Sequence, residues 1–258
     1  MIGTHVKAVV MGVALAIAWT SAGAAQGRRG GAPPAAARHG TLERVAAAGR
    51  DVTVYLPPSY ASDAMRRFPV VYLLTEKSAE SLKLEEGADR LATAQGFSEP
   101  IVLVANATGD AEKLVADELV TFADGKYRTI AARISRGLAG YSNGGDAALR
   151  VAMKRPDVFS SVYLLSGSVE PALGALEAGA PNLKRLYMTA IAVGTGDPVL
   201  AANRQLHDAM ARLKIPHYYE EFDGSRDDRI GELMETRVLT FFSRNLKAPA
   251  NPTSPAVQ

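Results

Sequence analysis

No cysteine occurs anywhere in the 258 residues, so no disulfide braces the fold. Stability must come from a buried core, which a chain of this length can build. No long run of Lys or Arg is present, and the formal net charge is only +2, which argues against a nucleic-acid or membrane-surface partner. Metal-ligand clusters, phosphate loops and dinucleotide fingerprints are also missing; Gly194-x-Gly196 is too short to count as one. No cofactor or metal is therefore expected. There are four histidines, and no internal repeat is visible. The longest apolar run, Ala8 to Trp19, is too short to span a bilayer well.

That run has another reading. Lys7 supplies a positive start, Ala8 to Trp19 an apolar centre, and Ala22-Gly23-Ala24 small residues suited to cleavage. Together they read as a secretory signal over residues 1–24, which places the protein in the periplasm or outside the cell, with no membrane span left after cleavage. Removing those residues, Lys7 among them, takes the net charge from +2 to +1. Residues 25–40, rich in Gly, Pro, Ala and Arg, read as a flexible leader. Residues 248–258 contain three prolines and no apolar periodicity, and read as a disordered tail.

Residues 41–247 between them read as one domain of alternating strands and helices. Strands are expected at Asp51–Leu56, Val70–Leu74, Ile101–Ala105, Val162–Leu165, Tyr187–Val193 and His217–Phe222, with Gly137–Ala139 leading into a turn at Ser142. The continuous apolar runs suit strands buried on both faces. Helical spacing covers Leu82–Gln95, Glu112–Phe122, Gly145–Lys154, Ala201–Leu213 and Arg229–Asn245. Such alternation implies an α/β fold with a mostly parallel sheet flanked by helices.

Gly140-Tyr141-Ser142-Asn143-Gly144 fits the G-x-S-x-G pattern of a nucleophile elbow. A sharp strand-to-helix turn holds the serine in a strained conformation, and only small residues fit two positions to either side. The hydroxyl then projects above the sheet, where the amide of Asn143 can donate to an oxyanion. The short strand before the elbow, and Gly145 and a helix after it, strengthen the match.

The stretch Ser135 to Gly145 resembles the esterase family of the α/β-hydrolase fold that includes feruloyl esterases, acetyl-xylan esterases and S-formylglutathione hydrolases. So do Arg50 to Pro58, Phe68 to Leu74, Pro156-Asp157-Val158-Phe159 and Ser166-Gly167-Ser168; the likeness runs from about Thr41 to Leu246. The resemblance implies a single α/β-hydrolase domain, Ser142 as nucleophile, Asp197 in Gly194-Thr195-Gly196-Asp197 as the acid, and an ester ligand, either a small molecule or carbohydrate-linked.

Two departures stand against it. Where relatives carry Gly-x-His before the last helix, this sequence has Gly224-Ser225-Arg226. Arg226 thus holds the base position, and a guanidinium donates only, so it cannot take the serine proton. The histidines offer no replacement. His5 lies in the signal segment, His39 at the start of the domain, His207 on the polar face of a helix, and His217 nine residues before Arg226. Asp227 and Asp228 are weak bases for a serine hydroxyl and read instead as solvated charges or helix N-terminal acids. The second departure follows Val70–Leu74. Thr75-Glu76 stands where relatives have His-Gly or Asp-Gly, so Thr75 is the candidate second oxyanion donor, and a carboxylate at Glu76 would repel a developing oxyanion if it pointed inward.

Three functions follow: an impaired esterase homologue that keeps a ligand cleft, a working hydrolase with an unorthodox base, or a protein-interaction scaffold. On the first, Arg226 is expected to pair with Asp197 through two parallel hydrogen bonds, filling the place of the acid–histidine contact.

Overall fold

The computed structural model describes residues 39–106 and 108–247. The expected signal segment, most of the expected leader and the expected tail lie outside the described residues. The last two leader positions are tied down: the His39 ring is 3.1 Å from the Asp89 carboxylate, and the Gly40 amide donates to the same group.

Eight strands form one sheet: β1 (Thr41–Ala47), β2 (Arg50–Leu56), β3 (Val70–Leu74), β4 (Ile101–Ala105), β5 (Arg136–Tyr141), β6 (Ser161–Leu165), β7 (Met188–Gly194) and β8 (Tyr218–Phe222). Their order is β1-β2-β4-β3-β5-β6-β7-β8. β1 and β2 run antiparallel to each other, and β2 antiparallel to β4; every other pairing is parallel. This is the α/β-hydrolase architecture the sequence implies.

Why the central strands read as unbroken apolar runs is plain from their packing. Val71 and Leu73 enter one core layer, Val70, Tyr72 and Leu74 the other. β6 divides likewise, with Val162 and Leu164 on one face and Tyr163 and Leu165 on the opposite one. Each such side chain, fully buried, contributes roughly 1.5–3 kcal/mol, so a strand covered on both sides has no room for polar alternation.

The helices are α1 (Pro58–Ser62), α2 (Leu84–Ala92), α3 (Val120–Lys126), α4 (Gly144–Lys154), α5 (Glu170–Leu173), α6 (Leu176–Leu183), α7 (Leu200–Arg212), α8 (Ile230–Leu233) and α9 (Thr240–Asn245). Two expected helices carry π-helical segments, Lys113–Leu119 before α3 and Met234–Leu239 between α8 and α9. Sequence reading misses β1, a half-exposed edge strand with a weak apolar signal. It also leaves α5 and α6 unassigned, because Pro171, Gly174, Gly179 and Pro181 punctuate that stretch.

Topology places the site. β4 lies on one side of β3 and β5 on the other. The helix after β3 (α2, through Leu84 and Ala88) packs in one layer; that after β5 (α4, through Ala148 and Leu149) packs in the opposite layer. The chain thus leaves the carboxyl ends of β3 and β5 toward opposite faces, the kind of switch point at which open α/β sheets take ligands. Ser142 follows β5 at this point.

Candidate active site

Ser142 follows the last residue of β5 with φ 52°, in the left-handed region, and is 5% exposed. For a non-glycine residue this conformation is strained. The surroundings enforce it. The Ser142 amide donates to the Leu165 carbonyl at 3.4 Å, and its carbonyl accepts from the amides of Ser168 at 2.8 Å and Gly145 at 3.0 Å. A Cβ on Gly144 would lie 1.8 Å from the Leu74 carbonyl oxygen; one on Gly140 would meet the Gly144 oxygen at 2.7 Å. The expectation that only small residues fit beside the serine is thus explained by atoms of the elbow itself and of β3. Among the described residues, no protein group is hydrogen-bonded to the Ser142 hydroxyl.

Asp197 lies just past the end of β7, its side chain fully buried. Four donors surround it. Oδ2 accepts from the Ser166 hydroxyl at 2.5 Å and the Gly194 amide at 2.9 Å. Oδ1 accepts from the Arg226 amide at 3.0 Å and the Ser225 hydroxyl at 3.2 Å. A carboxylate offers about four acceptor sites, so this one is filled.

Arg226 does meet Asp197, but not as a fork. Its Nη1 stands 3.8 Å from Oδ1 and donates to the Ser166 carbonyl at 3.4 Å; its Nε, 4.0 Å from Asp227, is buried without a hydrogen-bond partner. The physical reason is competition. Charge-assisted hydrogen bonds contribute about 1.5–3 kcal/mol each, and four of them already satisfy the buried carboxylate. The backbone of residue 226 binds Asp197; the guanidinium only adds a nearby positive charge.

Thr75 departs further from expectation. Its amide extends the β3 ladder by donating to the Ala105 carbonyl at 3.0 Å, and its hydroxyl accepts the Lys77 amide at 3.0 Å. That amide is spent within the sheet, leaving the Glu76 amide as the next along the loop. The Glu76 side chain is exposed, and its carboxylate accepts from the Asn143 side-chain amide at 2.6 Å. A negative charge is therefore held on Asn143, the residue between the serine and the first turn of α4.

The remaining candidates are placed elsewhere. Asp227 accepts from the Tyr141 hydroxyl at 2.9 Å and lies 3.6 Å from Lys77; burial, with Asp227 beside it, pushes the Tyr141 phenol up. Asp228 accepts from the Ser225 amide at 3.3 Å, closing the turn before α8. His39 is bound to Asp89, while His207 and His217 contact each other; His5 lies outside the described residues. Sequence reasoning missed Ser166 and Ser225 as partners of Asp197. Their positions, at the end of a buried strand and beside the base position, were the available signal. Among the described residues, no group of three or more His, Cys, Asp or Glu is placed to hold a metal ion, and no helix is long and apolar enough to cross a membrane.

Comparisons with known proteins agree with the fold. The Esterase family model matches residues 110–249. A ferulic acid esterase structure is similar with TM-score 0.69 and 20% identity, over 80% of this chain and 97% of its own. An S-formylglutathione hydrolase from Staphylococcus aureus gives TM-score 0.64 and 15% identity, over 79% and 96%. A mutant of the feruloyl esterase module from Clostridium thermocellum, complexed with sinapinate, gives TM-score 0.67 and 18% identity, over 83% and 92%.

Proposed function

The chain belongs to the Esterase family, and on that premise we propose that it is an esterase homologue with Ser142 and Asp197 at the nucleophile and acid positions but without a working base, retained as an exported ligand-binding protein. One observation carries the reading. Arg226, which holds the base position that the family resemblance implies, lies against the Asp197 carboxylate through its amide and, at 3.8 Å, its guanidinium. Its side chain presents donors only. A serine attacking an ester must give up its proton as the bond forms, and Arg226 cannot receive it. In a comparable triad, loss of the histidine lowers turnover by about a million-fold.

The Glu76–Asn143 contact supports the same reading, because a carboxylate there disfavours negative charge building up beside Asn143. The ligand is a small ester or a carbohydrate-linked ester; sinapinate, bound by one structural neighbour, is a rational first probe.

Purified protein should hydrolyse p-nitrophenyl acetate feebly, and Ser142→Ala should leave most of that small rate, while sinapinate or its methyl ester raises the thermal midpoint. An ordinary esterase turnover that vanishes in Ser142→Ala would overturn the reading. Export is proposed on Lys7, the apolar run and Ala22-Gly23-Ala24. N-terminal sequencing of extracytoplasmic protein should begin near Ala25; intact Met1 on cytosolic protein would refute it.

A further inference from the structure

Two of the four histidines meet on the flank formed by α7 and β8. His207 projects from α7, and His217 lies just before β8. The Nδ1 of His207 is 2.8 Å from the Nε2 of His217. The other ring nitrogen of His217, Nδ1, lies 2.8 Å from the Ile215 carbonyl oxygen. A carbonyl only accepts, so Nδ1 of His217 carries the proton. Its Nε2 is then an unprotonated lone pair, the acceptor for His207. A backbone carbonyl fixing the tautomer and ring orientation in this way is the usual support behind a metal-binding histidine. His207 is oriented too: its ring stacks on Tyr219, with centroids 4.2 Å apart and planes 14° apart. Both histidines are partly exposed, so an ion can reach them.

We infer that His207 Nδ1 and His217 Nε2 form a two-histidine site for a divalent transition-metal ion, with Cu²⁺ its best-fitting occupant. Metal–imidazole bonds are about 2.0–2.1 Å. Two such nitrogens at right angles around one ion lie about 2.9 Å apart, against about 3.3 Å at a tetrahedral angle. The 2.8 Å separation is that of the hydrogen bond between the two rings, so a turn of one ring brings both nitrogens within the bite of a single ion, and the general affinity order puts Cu²⁺ ahead of Ni²⁺ and Zn²⁺. Without metal, His207 donates the Nδ1 proton to His217. On binding, that proton passes through water to Nε2 of the same ring. Both imidazoles stay neutral and no net proton is released. The His207 ring must turn to bring its lone pair off the hydrogen-bond axis. Water completes the coordination, because the nearby Glu221 carboxylate accepts from Arg204 Nε at 2.8 Å and Nη2 at 2.7 Å. The bound ion would staple α7 to the edge strand.

The test uses the full chain carrying His5→Ala and His39→Ala, which leaves only this pair. CuCl₂ is titrated at neutral pH in a non-coordinating buffer. One equivalent should bind, and its electron paramagnetic resonance spectrum should show two equatorial imidazole nitrogens. The thermal midpoint should rise by about 5 °C or more at a hundredfold excess over Kd. His207→Gln and His217→Gln, shown folded by circular dichroism, should each weaken binding about tenfold or more. Retained affinity in either variant, fewer than two nitrogens in the parent spectrum, or Zn²⁺ binding more tightly than Cu²⁺ would overturn the assignment. The parent spectrum decides even if a glutamine variant fails to fold.

Discussion

On the proposed reading Arg226→His is the simplest way to supply a base, and the filled acceptor sites of Asp197 make it fall short alone. A triad histidine needs the acid to accept its Nδ1 proton. Here the four acceptor sites of Asp197 are taken by Gly194, Ser166, Arg226's own amide and Ser225. A fifth donor must displace one of them, and the longest bond, at 3.2 Å, is from the Ser225 hydroxyl. In comparable triads, losing the whole base costs about 10⁶ in turnover, and losing only the acid's hold on the histidine about 10⁴. An unanchored imidazole at position 226 therefore restores at most about a hundredfold over background. Adding Ser225→Ala vacates a lone pair on Oδ1 and should give about another tenfold or more. Glu76→Gln, by removing the charge clamped on Asn143, should raise the rate again, within the roughly 10²–10³ that one oxyanion donor contributes. Initial rates on p-nitrophenyl acetate measure this, with Ser142→Ala added to each background as the blank. Stability gives an independent reading. Ser225→Ala alone should cost about 1.5–3 kcal/mol, as a buried charge loses a donor, and Arg226→His should return part of that. If Arg226→His by itself matches the double variant, Asp197 is not saturated and the reasoning fails.

Two further outcomes follow from packing and charge. Gly144→Ala should destabilise by about 3 kcal/mol or more, a drop of roughly 6–12 °C in Tm, because its Cβ runs into the backbone of β3. Gly174→Ala, which meets nothing within 4 Å, serves as the control, and a Gly144→Ala midpoint within about 2 °C of it would refute the clash. Glu221 is held down to about 2 by hydrogen bonds from Arg204 and then Tyr219. A carboxyl lowered in the folded state stabilises fully above its ordinary 4.5, and that contribution is lost as pH falls toward 2. Glu221→Gln should therefore lower Tm at neutral pH, less so in high salt, and match the parent near pH 2; an equal deficit at both pH values would contradict the pairing.

Much of the fold was legible because it is written in local pattern. The runs at Val70–Leu74 and Ile101–Ala105 are apolar throughout because both faces are covered, and a strand of that kind announces itself. β1 does not, since its side chains are mostly half-exposed at a sheet edge. In the site, the strained turn at Ser142 is legible in its flanking glycines, and the place of Asp197 past a buried strand in the family pattern. Thr75 could not be placed, because whether its amide turned outward or continued the ladder depended on how far β4 ran beside it. The Arg226 pairing was foreseen as a contact but not in form. A sequence shows the charges and not the competing neutral donors, Ser166 and the amides, that reach the carboxylate first.

The tension at Ser142 has a wider consequence. Its left-handed backbone is fixed by the Leu165 and Ser168 contacts and by the space β3 leaves at Gly144. None of these restraints involves a reacting atom. The turn that strains the serine is, in this molecule, also a keystone of the interior, so on the proposed reading chemistry can be lost while the shape cannot. In such proteins an intact elbow reports ancestry and architecture; the proton acceptor opposite it reports whether the enzyme is still running.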